Sequence, residues 1–100
     1  MTSAFEDPTA AIYTIGQVSE LLGVQAAFLR RVETESLVRP ARSDGGQRRY
    51  SRNEIDTLQH IAQLSSDGMT LAGIRRILVL EAEVAELRRR IAAAEADGVG

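Results

Sequence analysis

"QVSELLGVQAAFLRRVETE", residues Gln17 to Glu35, carries two short apolar patterns on either side of a glycine. Val18, Leu21 and Leu22 stand at i, i+3 and i+4, the spacing of one helical face. Gly23 follows where a helix end favours a residue tolerant of left-handed backbone, which predicts a C-terminal cap. After Val24 alone, Ala26, Leu29 and Val32 recur every third residue in a segment from about Gln25 to Glu35, while Arg30, Arg31 and Glu33 lie off that face. Two short helices joined through Gly23-Val24 predict a helix-turn-helix.

Working outward, Ile12 to Ile15 is β-branched and aromatic, enough for one short strand or an extended entry. Residues 1–11, with Pro8 among small and acidic neighbours, read as a disordered leader. Downstream, Leu37 to Arg42 is extended because Pro40 forbids a helix through it. Ser43-Asp44-Gly45-Gly46 is a turn signal, and Gln47 to Tyr50 returns, giving a hairpin with arginines on both arms. Ser51-Arg52-Asn53-Glu54 fits a capping box ahead of the apolar face Ile55, Leu58, Ile61 and Ala62. Gly68 closes that helix, and Thr70 caps the next, whose face is Leu71, Ile74, Ile77 and Leu78.

From Ile77 the period changes. Ile77, Leu80, Val84, Leu87, Ile91 and Ala94 alternate steps of three and four, a heptad seam flanked by Glu81, Glu83, Arg88 and Arg90. So exposed a stripe implies a partner helix, the alternative being that it packs back on its own domain. Glu83 meets Arg88 in a parallel pair, and Glu81 meets Arg88 in an antiparallel one, so charge leaves the orientation open. The expected organisation is a leader (1–11), a helix-turn-helix domain with its hairpin (12–78), a dimerisation helix (79–96) and a frayed tail (97–100). The fold class is mainly α.

Composition narrows the chemistry. The net charge is -2, yet all twelve basic residues are arginine. Seven of them fall between Arg30 and Arg52 against three acids, Glu33, Glu35 and Asp44, so this stretch carries a local excess of positive charge. A local basic surface, more than the whole-chain charge, selects the partner. The absence of cysteine excludes a disulfide framework, a thiolate metal site and a cysteine nucleophile. His60, the one histidine, has no second histidine to share a metal and reads as solvated or locally bonded. Glu86 to Arg90 is an i,i+4 pair. No phosphate loop or nucleophile triad is present, so neither an enzyme nor a cofactor or metal is expected. No secretory leader or membrane-length apolar run is seen either, which predicts a cytoplasmic protein.

Taken together, these motifs resemble the MerR family of bacterial transcription regulators over about Tyr13 to Ile91. The resemblance rests on Tyr13-Thr14-Ile15-Gly16-Gln17-Val18, Gly23-Val24, Leu29-Arg30, Glu33, Leu37-Val38 and Pro40. It continues through "GQRRYS" (Gly46 to Ser51) and Gly68-Met69-Thr70-Leu71 to Ile74. The wing and "LAGIRRI" (Leu71 to Ile77) look most like the heat-shock repressor branch, HspR-like proteins, and short BldC-like members share the wing type.

The resemblance implies a winged helix-turn-helix followed by a dimerising helix, usually paired antiparallel. It implies a homodimer on an inverted repeat of double-stranded DNA, a repressor in preference to an activator. Gln25, Ala26, Ala27 and Arg30 would face the bases. Arg31 stands where members commonly carry a tyrosine, and would exchange that residue's phosphate contact for a charge. The wing residues Arg42, Gly46, Arg48, Arg49 and Tyr50 would meet the DNA backbone, Arg48 with its forked guanidinium and Tyr50 with its hydroxyl. Tyr13 and Thr14 form the entry to this surface, and Ile77, Leu80, Val84, Leu87 and Ile91 the dimer seam. The chain ends soon after Ile91, so no small-molecule effector domain is expected, and a Hsp70-type chaperone is the regulatory partner that the heat-shock branch implies. The competing reading is a protein-interaction adaptor, a winged helix that has lost DNA binding. An alternative for Arg30 is an ion pair with Glu33.

Overall fold

The computed structural model describes residues 3–99; Met1 and Thr2 of the expected leader and Gly100 of the expected tail lie outside them. Three strands and four helices follow in order: β1 (Tyr13–Thr14), α1 (Ile15–Leu22), α2 (Ala26–Thr34), β2 (Ala41–Arg42), β3 (Arg48–Tyr50), α3 (Arg52–Ser66) and α4 (Leu71–Val99). The strands form one antiparallel sheet in the order β1-β3-β2. Tyr13 faces Tyr50 across it, and Arg42 faces Arg48.

The first strand is shorter than Ile12 to Ile15 because Thr14 starts a helix. Its hydroxyl accepts from the Gln17 amide at 3.1 Å, and Gln17 Oε1 accepts from the Thr14 amide at 2.8 Å. This capping box satisfies two otherwise unpaired N–H groups, so Ile15 is already helical. Gly23 ends α1 in the left-handed region at φ 66°, and Val24 N donates back to Ser19 O. Within α1, Val18 is fully buried, but Leu21 is 67% exposed. The expected three-residue face therefore narrows to Val18 with half-buried Leu22.

One core unites the elements: Val18, Leu29, Val32, Val38, Tyr50, Ile55, Leu58, Ile61 and Ile74. Each of its large aliphatic side chains contributes about 1.5–3 kcal/mol by leaving water. Leu29 and Val32 are the only fully buried residues of α2, so the opposite face of that helix is directed outward. Its C-terminal end turns through Ser36 at φ 60°, with Leu37 N donating to Val32 O at 3.0 Å. Arg75 of α4 closes that end from outside, its guanidinium donating to the Glu35 carbonyl and, at 3.1 Å, to the Glu35 carboxylate.

The described residues at the two ends have local structure of their own. Residues 3–11 are tied to the domain: Pro8 O accepts from Asn53 N at 3.0 Å and Phe5 O from Arg52 at 3.2 Å. The first turn of α3 has unpaired N–H groups, and this segment supplies an acceptor for one of them. At the other end, α4 continues through Ala92, Ala93, Ala94 and Ala96, all strong helix formers, so residues 97–99 are helical. The boundary at 78/79 falls inside this unbroken helix and separates its packed first turns from an exposed remainder.

Ser51 sets where α3 begins. It is buried, its hydroxyl accepts from Glu54 N at 3.1 Å, and Glu54 Oε1 accepts from Ser51 N at 2.9 Å. Ser51→Ala should lower unfolding free energy by about 1 kcal/mol, read by urea denaturation, with Ser51→Thr largely retaining it. An unchanged midpoint in Ser51→Ala would show that the box does not hold the helix start.

Candidate nucleic-acid interface

At 100° per residue, burying Leu29 and Val32 turns Ala27, Arg30 and Arg31 to the far side of α2. All three are exposed, and so is Gln25, which sits at the N-cap without a side-chain capping bond. Ala26 lies at the flank, half-buried. Arg30 and Arg31 take part in no ion pair among the described residues, so both charges face solvent. The alternative pairing of Arg30 with Glu33 is not formed.

Glu33 is used elsewhere. Its Oε1 accepts from Arg48 Nε at 2.7 Å, and its Oε2 accepts from Arg42 Nη2 at 3.0 Å. The register explains the convergence, since Arg42 and Arg48 face each other across β2 and β3 and so occupy one side of the hairpin. Arg49 alternates to the other side, where its Nη1 donates to the Arg48 carbonyl at 3.1 Å. Gly46 forms the tip at φ 81°, a conformation that disfavours any side chain. Gly45 has an ordinary φ, so only one of the two glycines is required by the turn. Gly46 N donates to Ser43 O, and Ser43 N to Gln47 O, closing the loop.

Tyr50 is a core residue. It is 1% exposed, and its hydroxyl is buried with no hydrogen-bond partner among the described residues. The expectation that this hydroxyl reaches a phosphate is therefore corrected: the strand turns the ring inward, opposite Tyr13. Burial pushes its phenol above the ordinary 10.0. At the entry, Tyr13 is half-buried, and the Thr14 hydroxyl is engaged in the α1 cap.

Along α4 the seam divides. Ile77 is half-buried near the domain, whereas Leu80, Val84, Leu87 and Ile91 are exposed. His60 Nε2 lies 3.0 Å from each Glu81 carboxylate oxygen, joining α3 to α4, and Glu86 pairs with Arg90 at 3.2 Å and with Arg89. Sequence reasoning took Glu33 as part of the family motif and as an alternative partner of Arg30, and Glu35 as a charge against the arginines. Their partners lie 9 to 40 residues away, and local spacing carries no signal for such contacts.

Comparison with known proteins places this geometry. The model of the MerR HTH family regulatory proteins matches residues 13–80. A putative heat shock protein HspR of Streptomyces coelicolor is 44% identical over 90 residues, covering 87% of this chain and 60% of that protein. The HTH-type transcriptional regulator GlnR of Bacillus anthracis is 34% identical over 73 residues, covering 73% of this chain and 57% of that one. The chain thus spans about 60% of the length of these relatives or slightly less. Among solved structures, HiNmlR, a MerR family regulator lacking the sensor domain and bound to promoter DNA, superposes with a TM-score of 0.61 at 25% identity, covering 79% of this chain and 77% of that one. A MerR family regulator from Bacillus cereus shares the fold at a TM-score of 0.62 and 22% identity, over 87% and 71% of the two chains.

The buried phenol gives a test of the inward strand face. Removing an unpartnered buried hydroxyl relieves a desolvation cost, so Tyr50→Phe should be neutral or about 1 kcal/mol stabilising near pH 7. Because the folded phenol titrates above the unfolded one, its contribution to stability is fully present below pH 10 and is lost as pH rises past it, a loss that the variant lacks. Thermal melts at pH 7 and 10.5 should show the variant's advantage widening at the higher pH. A clear destabilisation at both would mean that the hydroxyl has a partner.

Proposed function

The chain belongs to the MerR family of helix-turn-helix regulators, and from that premise we propose that it is a sequence-specific DNA-binding transcription regulator, a repressor acting as a homodimer on an inverted-repeat operator. The observation that carries this reading is the outer face of α2: two exposed arginines without side-chain partners among the described residues, beside a hairpin bearing three more. Unpaired guanidinium groups on one surface suit the phosphate backbone and the acceptor edge of guanine. In this reading α2 enters the major groove, with Gln25, Ala27 and Arg30 toward the bases, Ala26 at the flank and Arg31 toward a phosphate. The hairpin with Arg42, Gly46, Arg48 and Arg49 lies on the flanking backbone, where it reads no base itself but adds affinity and fixes the register of α2 on the duplex. Tyr50 and Thr14 support it from within, and Tyr13 borders it.

DNA-bound HiNmlR supports the mode of engagement, as a relative in which this fold meets promoter DNA. No helix among the described residues is long and apolar enough to cross a membrane. We propose a cytoplasmic location because the proposed regulator acts on DNA. We further propose a Hsp70-type chaperone as co-regulator, which the resemblance to the heat-shock branch implies. The exposed, unpaired Arg30 and Arg31 favour a DNA partner over the adaptor reading.

Recognition by α2 is tested with a duplex selected from a random pool by the wild-type protein and a scrambled duplex of equal composition. Arg30→Ala should narrow the gap in affinity between the two by roughly 1–3 kcal/mol for a lost base contact, and Gln25→Ala should do likewise. An equal loss on both duplexes would make Arg30 a backbone contact. Unchanged affinity in both variants would remove α2 from the interface.

Pairing through α4 is tested separately. Leu80, Val84, Leu87 and Ile91 leave an apolar stripe in water, and burying each Leu or Ile is worth about 1.5–3 kcal/mol. Leu87→Glu should sediment as a folded monomer at micromolar concentration, with far weaker binding to the selected duplex, because two linked half-site contacts reinforce each other. A wild-type monomer, or a dimeric variant, would contradict pairing through this seam.

A further inference from the structure

The geometry points to Glu33 as the residue that positions the hairpin against α2 and thereby sets selectivity, an inference that rests on the DNA-binding reading above. One carboxylate on the last turn of α2 receives both arms of the wing, Arg42 from β2 at 3.0 Å and Arg48 from β3 at 2.7 Å. No other ion pair among the described residues joins α2 to the sheet. The Arg48 and Glu33 side chains are both about four-fifths buried, so this pair is better shielded from water and salt than an exposed surface bridge.

The donor pattern determines what the clamp does. Arg48 is held by Nε, and neither of its terminal nitrogens has a protein partner among the described residues. Arg42 is held through Nη2 and is about half exposed. Glu33 thus fixes where each guanidinium sits while leaving donors for phosphate oxygens. It also offsets one of the two positive charges, so the trio presents a net single charge at a defined place. Without it the hairpin carries two unanchored arginines on a glycine-tipped loop, a surface able to follow any duplex backbone. Glu33 in this account touches no DNA; it acts through Arg42 and Arg48.

Glu33→Gln keeps the side chain's shape and removes the charge that two guanidinium groups share. Against the selected duplex its affinity should fall about tenfold. Against the scrambled duplex affinity should hold or rise, with the salt dependence steeper by about one released counterion. Glu33→Asp, which retains the charge, should recover part of the selectivity. In a double-mutant cycle, adding Arg48→Ala to Glu33→Gln should cost less selectivity than the sum of the single changes, since both break one interaction. A residue with only a structural role would lower thermal stability, leave the ratio of the two affinities unchanged and give additive effects; that result overturns the proposal.

A DNA-free readout keeps the clamp separate from the DNA reading. Amide hydrogen exchange at Gln47 to Arg49 should accelerate in Glu33→Gln relative to wild type, while exchange in α3 stays the same. Unchanged hairpin exchange overturns the clamp, whatever the protein binds. Failure of the wild type to enrich any duplex, with accelerated exchange in the variant, would instead overturn the regulator reading and the selectivity assigned to Glu33 while supporting the clamp.

Discussion

Burial of Leu29 and Val32 is the constraint from which the proposed interface follows. A nine-residue helix is too short to hold its shape alone in water, so α2 persists because those two side chains are locked into a core with Val18, Tyr50 and Ile74. Once they point inward, the helical repeat leaves Ala27, Arg30 and Arg31 no direction but outward. The same rotation puts Glu33 on the flank nearest the hairpin, where the cross-strand arginines Arg42 and Arg48 reach it. Packing thus decides the direction of charges that take no part in the core.

The acids of the basic stretch act as connectors. Glu33 ties α2 to the sheet, and Glu35 receives Arg75 from the first turns of α4. The short helix is consequently held at its C-terminal end by both the hairpin and the long helix that carries the apolar seam. If α4 pairs with a second copy, as proposed, the spacing of the two α2 helices is transmitted through the Arg75 contact and the packing of Ile74. Whole-chain acidity and a local basic surface coexist because eleven of the fourteen acids lie outside residues 30–52, while Glu33 and Glu35 within it are engaged by arginines.

Much of this was legible in the sequence wherever local rules govern. Gly23 as the turn between two helices, Ser51 with Glu54 as a capping box, the Ser43 to Gly46 turn and the helix from Leu71 were all marked by residues whose neighbours in sequence are their partners. The departures arise where partners are distant or two local rules compete. Leu21 fits the helical spacing but lies beyond the reach of the core, so periodicity overcounted the buried face. Ile15 reads as strand by its β-branch, yet the Thr14 hydroxyl before it accepts from Gln17 and the cap makes Ile15 helical. Tyr50 sits among arginines in a motif that resembles a DNA contact, but strand alternation and the pairing with Tyr13 turn it inward. The 3–11 segment has leader-like composition, yet α3 offers it unsatisfied donors. Alanine-rich sequence carries α4 beyond the expected end.

The central claim is that the outward face of α2 and the arginine hairpin form one DNA-binding surface. Backbone amide shifts recorded while the protein is titrated with its selected duplex test this most directly. The account predicts that the largest shifts fall on Gln25 to Arg31 and on Ser43 to Arg49, while Leu21 of α1 and Gln59 of α3, which belong to neither element of this surface, hardly move. Shifts concentrated around Leu21 and Gln59, with α2 and the hairpin silent, would contradict it.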